Sequence, residues 1–417
     1  MFSKSFLKKI ASREKVSKAF LEKQLRLARV VIPANKYHNL SNPVAIGEGL
    51  KIKINTNIGL STQRTNLNSE IKKMREAVRC GTHTVMDLSV SPNYKKLLKE
   101  ILALSPVPVG TVPIYEVAIE AEKRKENFHR ITFDDIYQAL KRQAEEGVDF
   151  FTIHAGILEK TVKNLIKKKR VGGVVSRGGA LLANWMHVNR KENPLYANFE
   201  AILELAKKYN ITISLGDALR PGAIADSTDN HQVAELKVLG ELVRKCRENN
   251  VQVMVEGPGH IRLDEIPANI ALEKKFCHRA PFYILGPLTV DCAPGYDHIV
   301  SAVGGTVAAF YGADFLCVVT PAEHLRHPSL NDITEGVIAS RIAAHSVDVL
   351  RFKDEWQKDL SISKFRARRN WQGVFSLAAD QKKAKKYRKN TSSADKTCSM
   401  CGKFCSLKIT EKCHFLK

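Results

Sequence analysis

Between residues 51 and 319, apolar runs of strand length alternate with amphipathic helical stretches, and this alternation restricts the fold more than any other feature. The strand-length runs are Lys51–Asn55, His83–Leu88, Pro108–Pro113, Asp149–His154, Gly172–Val175, Ile211–Leu215, Val251–Glu256, Phe282–Leu285 and Phe315–Val319. Between them the spacing predicts helices over Leu67–Val78, Tyr94–Leu104, Asp134–Glu146, Phe199–Lys208 and Val233–Asn249. Strands that are apolar throughout belong to a parallel sheet covered on both faces. Eight or nine such units in one domain imply a closed barrel more than an open sheet. No GxGxxG or phosphate-loop pattern follows the first run, which weakens a doubly wound alternative. The expected fold class is α/β, a (β/α)8 TIM-like barrel over residues 51–345. Nine runs are one too many for such a barrel, so one of them lies outside it.

Polar residues gather where these runs end. Asn57 follows the first, Met86 lies in the second, and Tyr115 follows Pro113. His154 ends the fourth, and Ser176-Arg177-Gly178 follows Val174-Val175. Asp217-Ala218-Leu219-Arg220 follows Ser214-Leu-Gly216, Glu256 and His260 close Val253-Met-Val-Glu-Gly-Pro-Gly-His, and His324 follows Thr320-Pro. Singly, each has a plain explanation: a strand-end His is more often structural, and Met86 reads as core. Arg177 and Arg220 could be surface cations, yet each sits beside glycine or proline in a tight turn, which suits phosphate or carboxylate binding. In a β/α barrel the carboxyl ends of the strands converge on one mouth. Coincidence across seven strands therefore favours a multi-point site for an anionic small molecule.

Near the other end of the chain, Cys398-Ser-Met-Cys401-Gly-Lys-Phe-Cys405 places three thiols within eight residues. Three thiolates leave a four-iron cluster one ligand short, with an iron open to a small molecule. Structural zinc is the rival, with Cys413 or His414 as fourth ligand. Nine cysteines without paired spacing, and no secretory signal, suit a reducing compartment. No apolar run is long enough to cross a bilayer.

The net charge of +23 invites a nucleic-acid reading. Much of that charge is concentrated in two places: residues 1–29 hold nine Lys/Arg against two Glu, and residues 361–390 hold ten against one Asp. Such runs read as solvated basic faces, and no nucleic-acid or membrane partner is expected. Phe2, Phe6 and Ile10 at helical spacing predict an N-terminal helix that runs on into Phe20–Val31. A cytoplasmic location is expected, or a plastid one should that basic stretch be a targeting peptide. The chain divides into an N-terminal region (1–50), the barrel (51–345), a helical segment (346–390) with helices at Trp356–Trp371 and Asp380–Lys389, and a cysteine tail (391–417). Thr391–Asp395 reads as a flexible tether, letting the tail reach the barrel mouth of its own or a neighbouring subunit.

These residues together resemble the phosphomethylpyrimidine synthase family of thiamine biosynthesis, radical S-adenosylmethionine enzymes with a C-terminal cluster. The resemblance runs from Ala28 to Lys408 and rests on ordered motifs. Among them are Ile32-Pro-Ala-Asn35, Lys53-Ile-Asn-Thr-Asn-Ile-Gly59, Phe150-Phe-Thr-Ile-His154, Val175-Ser-Arg-Gly-Gly179, Ser214-Leu-Gly-Asp217, Val255-Glu-Gly-Pro-Gly-His260, Ala280-Pro-Phe-Tyr283, Ala293-Pro-Gly-Tyr-Asp-His298 and Thr320-Pro-Ala-Glu-His324.

The resemblance implies that aminoimidazole ribonucleotide is bound by Asn57, Met86, Tyr115, His154, Ser176, Arg177, Gly178, Asp217, Ala218, Leu219, Arg220, Glu256 and Tyr283. It implies that His260 and His324 hold zinc or iron, and that Cys398, Cys401 and Cys405 hold a 4Fe-4S cluster whose fourth iron S-adenosylmethionine chelates. It further implies an external electron donor such as a flavodoxin or ferredoxin, a homodimer, and a radical rearrangement to 4-amino-5-hydroxymethyl-2-methylpyrimidine phosphate with release of formate and carbon monoxide. No general base is assigned. Three positions depart from the family pattern: the Cys401–Cys405 gap holds three residues instead of four and lacks a proline, Ala218 replaces glycine, and Arg326-His327 replaces Gly-Leu. Competing readings are a benzimidazole-forming synthase of the same superfamily, an inactive homologue, and a basic zinc-knuckle protein that binds nucleic acid.

Overall fold

A computed structural model describes residues 2–389 and 397–412, in two compact units, residues 1–344 and 345–417. The first unit is built on eight parallel strands: β1 Lys53–Ile58, β2 Thr84–Asp87, β3 Val109–Thr111, β4 Phe150–Ile153, β5 Thr212–Leu215, β6 Val253–Gly257, β7 Phe282–Leu285 and β8 Phe315–Cys317. Each pairs with the next, and β8 pairs with β1 to close the barrel. Nearly every strand residue is buried, as continuous apolar runs require when helices cover the outside. Side-chain volume is traded across neighbouring strands. A Cβ on Gly257 of β6 would lie 2.0 Å from the Phe282 ring of β7, so that ring packs against β6 on its outer face only because residue 257 has no side chain.

The surplus run is Gly172–Val175. It forms no strand, and Val171 and Val175 are 79 % and 45 % exposed. Gly173 sits at φ +63°, and the segment delivers Ser176 as the N-cap of helix Arg177–Asn189. The first strand lies further along than expected, so Asn57 is inside β1 rather than after it. Helix Tyr94–Leu104 matches its periodicity, burying Leu97, Leu98, Ile101 and Leu102. Helix Phe133–Glu146 starts at a Thr132–Asp135 capping box and stops at Gly147, φ +107°.

The N-terminal region is not one continuous helix. Lys15, at φ +58°, separates Lys4–Glu14 from Lys18–Arg26, and Val30–Val31 pairs instead with Ile46–Gly47 as a short antiparallel ribbon. Leu7, Ile10, Leu21, Ile32 and Leu50 form its core. Glu14 and Lys53, both buried, meet at 2.7 Å and tie the first helix to the start of β1. Asp149, entering β4, accepts from the Asn35 and Val109 amides at 2.8 and 2.7 Å and pairs with His38 at 2.7 Å. The Ile32–Asn35 motif thus closes the amino end of the barrel, away from the strand ends where ligands bind.

In the second unit, helices Lys353–Ala367 and Trp371–Leu377 are separated at Arg369, φ +54°, where one helix was expected. Helix Gln381–Arg388 and the cysteine turn follow. The expected Thr391–Asp395 tether, Cys413 and His414 lie outside the described residues.

Candidate active site

At the carboxyl ends of the strands, a cavity is lined by Asn57, Met86, Tyr115, His154, Asp217, Arg220, Glu256 and Tyr283. Eight residues singled out from sequence thus meet at one place. Several are fixed from behind. Glu256 accepts from Thr152 Oγ1 and Ser214 Oγ, at 2.7 and 2.9 Å, on one oxygen only. Asn55 donates to the Tyr283 hydroxyl at 2.8 Å and to Asn57 Oδ1 at 2.9 Å, while Asn57 Nδ2 reaches Cys317 Sγ at 3.3 Å.

Ser176 Oγ caps the helix by accepting from the Gly179 amide, at 3.2 Å, and stands 3.0 Å from His154 Nε2. His154 packs so closely on this helix start that a Cβ on Gly178 would lie 2.6 Å from its ring, so only glycine fits there. Burial, with Arg220 nearby, pushes His154 down to about 3, so the imidazole is neutral at working pH.

Asp217 Oδ1 pairs with Arg220 Nη1 at 3.1 Å. Burial nevertheless pushes Asp217 up to about 7, against the pull of Arg220 and with the help of nearby Glu256. The Glu256 carboxyl is raised by burial too. Three polar atoms here are buried and have no hydrogen-bond partner: His154 Nδ1, Asp217 Oδ2 and Arg220 Nε. Native proteins rarely leave such groups unsatisfied, since each costs about 1–3 kcal/mol. Three around one cavity mark a site completed by a polar ligand.

Not all the expected residues reach this cavity. Ala218 and Leu219 are fully buried, and their amides donate to Glu235, at 2.9 and 2.6 Å. They shape the Asp217–Arg220 turn from beneath. Arg177 lines a second cavity, which shares Asn57 and Leu88 with the first. Its guanidinium stands 4.8 Å from the Tyr115 ring centroid.

The Arg326-His327 departure has local partners. His327 bridges Lys73 Nζ, 3.2 Å from its Nδ1, and the Gly59 carbonyl, 2.9 Å from its Nε2, while Arg326 forks onto Asp332. Both tie the β8 loop into the wall of the second cavity. Cys317, Thr152, Ser214 and Glu235 escaped the sequence reading, because a polar residue inside a strand or helix carries no turn or spacing signal.

His260 and His324 come together. Their ring centroids are 5.2 Å apart, and two imidazoles on one tetrahedral metal have centroids about 5 Å apart. Each Nδ1 is held by a carboxylate, Asp291 at 2.6 Å and Asp297 at 2.7 Å, which leaves Nε2 as the atom that could face a metal. The two rings could hold a metal with positions open for other ligands.

In the second unit, the thiol of Cys398 accepts from the Cys401 and Met400 amides, and this lowers its pKa towards the thiolate that binds metal. Gly402, at φ +50°, and a 3-10 turn over Gly402–Phe404 carry the chain to a buried Cys405. Among the described residues no three His, Cys, Asp or Glu side chains are gathered as closely as a bound metal would hold them. The turn nonetheless fits a thiolate-bound cluster in residue type, order and amide donation.

An eight-stranded parallel barrel with an unsatisfied polar cavity at its carboxyl mouth, and a separate unit presenting three cysteines in one turn, defines a small-molecule enzyme equipped for metal-centred chemistry. The chain matches the Radical SAM ThiC family over residues 2–412. It is 48 % identical over 409 residues to the phosphomethylpyrimidine synthase of Caldanaerobacter subterraneus, covering 97 % of this chain and 94 % of that one. Against the enzymes of the same name from Moorella thermoacetica and Geobacter metallireducens it is 46 % identical over 405 residues and 45 % over 408, each covering 97 % of this chain and 94 % of the relative. The chain belongs to the Radical SAM ThiC family. It is an enzyme of thiamine-pyrimidine synthesis whose family membership implies S-adenosylmethionine and an iron–sulfur cluster. No helix among the described residues is long and apolar enough to cross a membrane.

Proposed function

We propose that the chain converts 5-aminoimidazole ribonucleotide into 4-amino-5-hydroxymethyl-2-methylpyrimidine phosphate, releasing formate and carbon monoxide. The observation that carries this reading is the trio of unsatisfied atoms, His154 Nδ1, Asp217 Oδ2 and Arg220 Nε, around one cavity. A ribonucleotide complements them. Its phosphate suits Arg220, with Arg177 at the adjoining wall, and its ribose hydroxyls can donate to Asp217 and to the open oxygen of Glu256. In the tautomer that accepts from Ser176 at Nε2, neutral His154 offers an Nδ1–H to the ligand. Tyr283, Met86 and Asn57 shape the floor around the base.

Cys398, Cys401 and Cys405 would hold the cluster, which with S-adenosylmethionine supplies a one-electron cleavage that generates a hydrogen-abstracting radical. The chain's own share is to hold the nucleotide, keep water out and fix the ribose in one orientation. The second cavity opens beside the first, sharing Asn57 and Leu88 with it, where a second small molecule could bind.

The test is an anaerobic assay with the ribonucleotide, S-adenosylmethionine and a reductant, with products identified by mass. Formation of the pyrimidine phosphate with formate and carbon monoxide is expected. A benzimidazole product, or consumption of S-adenosylmethionine without any conversion of the nucleotide, sinks the assignment.

The histidine pair is assigned a divalent metal, zinc or iron. Asp291→Asn and Asp297→Asn exchange an anionic acceptor for a neutral amide and weaken the hold on each imidazole. Metal affinity is expected to fall about 10- to 100-fold in either variant, read by competition with a chelating dye. Retention equal to the parent protein in both would show that these histidines do not share a metal.

A further inference from the structure

The basic stretch before the cysteine turn has no role in the site described above. Residues 345–417 hold eighteen Lys/Arg against seven Asp/Glu, a net +11, nearly half of the chain's +23 in about a sixth of its length. On helix Gln381–Arg388, Lys382, Lys385 and Lys386, with Lys389 just beyond, recur at i, i+3, i+4 and i+7 and so share one face. All four are exposed, and among the described residues none of their ammonium groups has an ion-pair or hydrogen-bond partner. Like charges at this spacing repel each other across a helix, so the stripe is a net cost in the isolated protein.

The same helix is fastened to the cysteine turn. The Arg388 guanidinium stacks 4.2 Å from the Trp371 ring centroid and donates to the Thr397 carbonyl at 2.8 Å, one residue before Cys398. The turn itself adds Lys403, and it exposes two apolar side chains, Met400 at 90 % and Phe404 at 72 %, on either side of exposed Cys401. A small apolar centre with Lys403 5.3 Å from the Phe404 ring centroid, and a lysine stripe on the helix fastened to it, has the composition of a transient, electrostatically steered interface.

We propose that this face, comprising Lys382, Lys385, Lys386 and Lys389 with Met400 and Phe404, docks an acidic one-electron carrier protein that reduces the cluster. The inference rests on reading Cys398, Cys401 and Cys405 as cluster ligands. One electron leaves the reduced carrier, which is oxidised by one electron, and enters the cluster. No atom is transferred and no bond is broken in this step. Charge complementarity selects the acidic carrier, and proximity to the thiols favours it over a nucleic acid: a nucleic acid would use the lysines but gain nothing from lying against the cysteine turn. Interfaces of this kind are small and rely on steering, so binding should fall steeply with ionic strength.

The test uses full-length, anaerobically reconstituted holoenzyme and a flavodoxin as the acidic carrier. The four lysines are changed together, once to Glu and once to Gln, the neutral set guarding against misfolding of the charge-reversed one. Equilibrium binding to the flavodoxin and the rate of cluster bleaching by reduced flavodoxin are measured at low and high salt, with dithionite as the small-molecule reductant. At low salt the Glu set is expected to bind at least tenfold more weakly and to be reduced at least tenfold more slowly by the flavodoxin, and the Gln set to lie between it and the parent. Salt dependence should largely vanish in both, with iron content and dithionite reduction unchanged. Parent-like flavodoxin binding and reduction in both sets overturns the proposal. So does loss of binding to a short oligonucleotide with flavodoxin kinetics unchanged, which would assign the face to polyanions. If the parent protein holds no iron, or dithionite does not bleach it, the cluster reading has failed rather than the docking face alone, and the proposal falls with it.

Discussion

Cys398→Ala, Cys401→Ala and Cys405→Ala are each expected to lose the iron and sulfide of the reconstituted protein and all turnover with them, the largest effect of any single change in this chain. The reason is ligand count. A three-thiolate site has no protein ligand to spare, because its fourth iron must stay open to S-adenosylmethionine. The turn is built for thiolates: amides from Met400 and Cys401 point at the Cys398 sulfur and favour its charged form. Gly402, at φ +50°, has open space where a Cβ would be, so the shortened gap is turned without a clash. Cys413→Ala, by contrast, is expected to keep the cluster, since the ligand set is complete without it. Iron, sulfide and visible absorbance after anaerobic reconstitution check all four variants. Parent protein that keeps zinc, with neither iron nor sulfide, would overturn the cluster assignment.

The barrel was legible because burial on both faces makes its strands continuous apolar runs, and period alone finds such runs. Gly172–Val175 misled for the same reason. Two valines after two glycines imitate a short strand, and only the exposure of Val171 and Val175 in the fold reveals a loop that ends in the Ser176 cap. Strand-end polar residues were legible because topology alone sends strand ends to one mouth, which is how His154, Asp217, Arg220 and Glu256 could be grouped without coordinates. What supports them was hidden. Asp291 reaches His260 across 31 residues and Asp297 reaches His324 across 27, contacts that exist only once the segments after β6, β7 and β8 have folded together. Glu235 was invisible too: within helix Asn230–Glu248 it reads as one more helical glutamate, yet it is 1 % exposed and caps the Ala218 and Leu219 amides. Burial pushes its carboxyl up to about 8.

The two arginines assigned to the substrate phosphate are expected to differ in a way that the sequence alone does not foretell. Arg220→Lys should weaken ribonucleotide binding by about 1.5–3 kcal/mol, or about 10- to 150-fold, the scale of a lost charge-assisted hydrogen bond. Arg220 is held in the cavity wall by Asp217 at 3.1 Å, and its Nε is buried without a partner. Lysine has a single nitrogen at its tip, so it cannot pair with Asp217 and also present a second donor at the Nε position. Arg177 is in a different situation. It lies over Tyr115, its Nη1 makes a long 3.4 Å contact to the Leu88 carbonyl, and it is exposed to solvent. A lysine there keeps the charge near the phosphate and loses mainly the stacking, so the penalty for Arg177→Lys should stay below about 1 kcal/mol, as for an exposed ion pair. Dissociation constants for the ribonucleotide, measured without S-adenosylmethionine so that turnover does not intervene, decide the matter. Equal, small losses in both variants would place the phosphate elsewhere in the mouth, and a larger loss at Arg177 would move it into the second cavity.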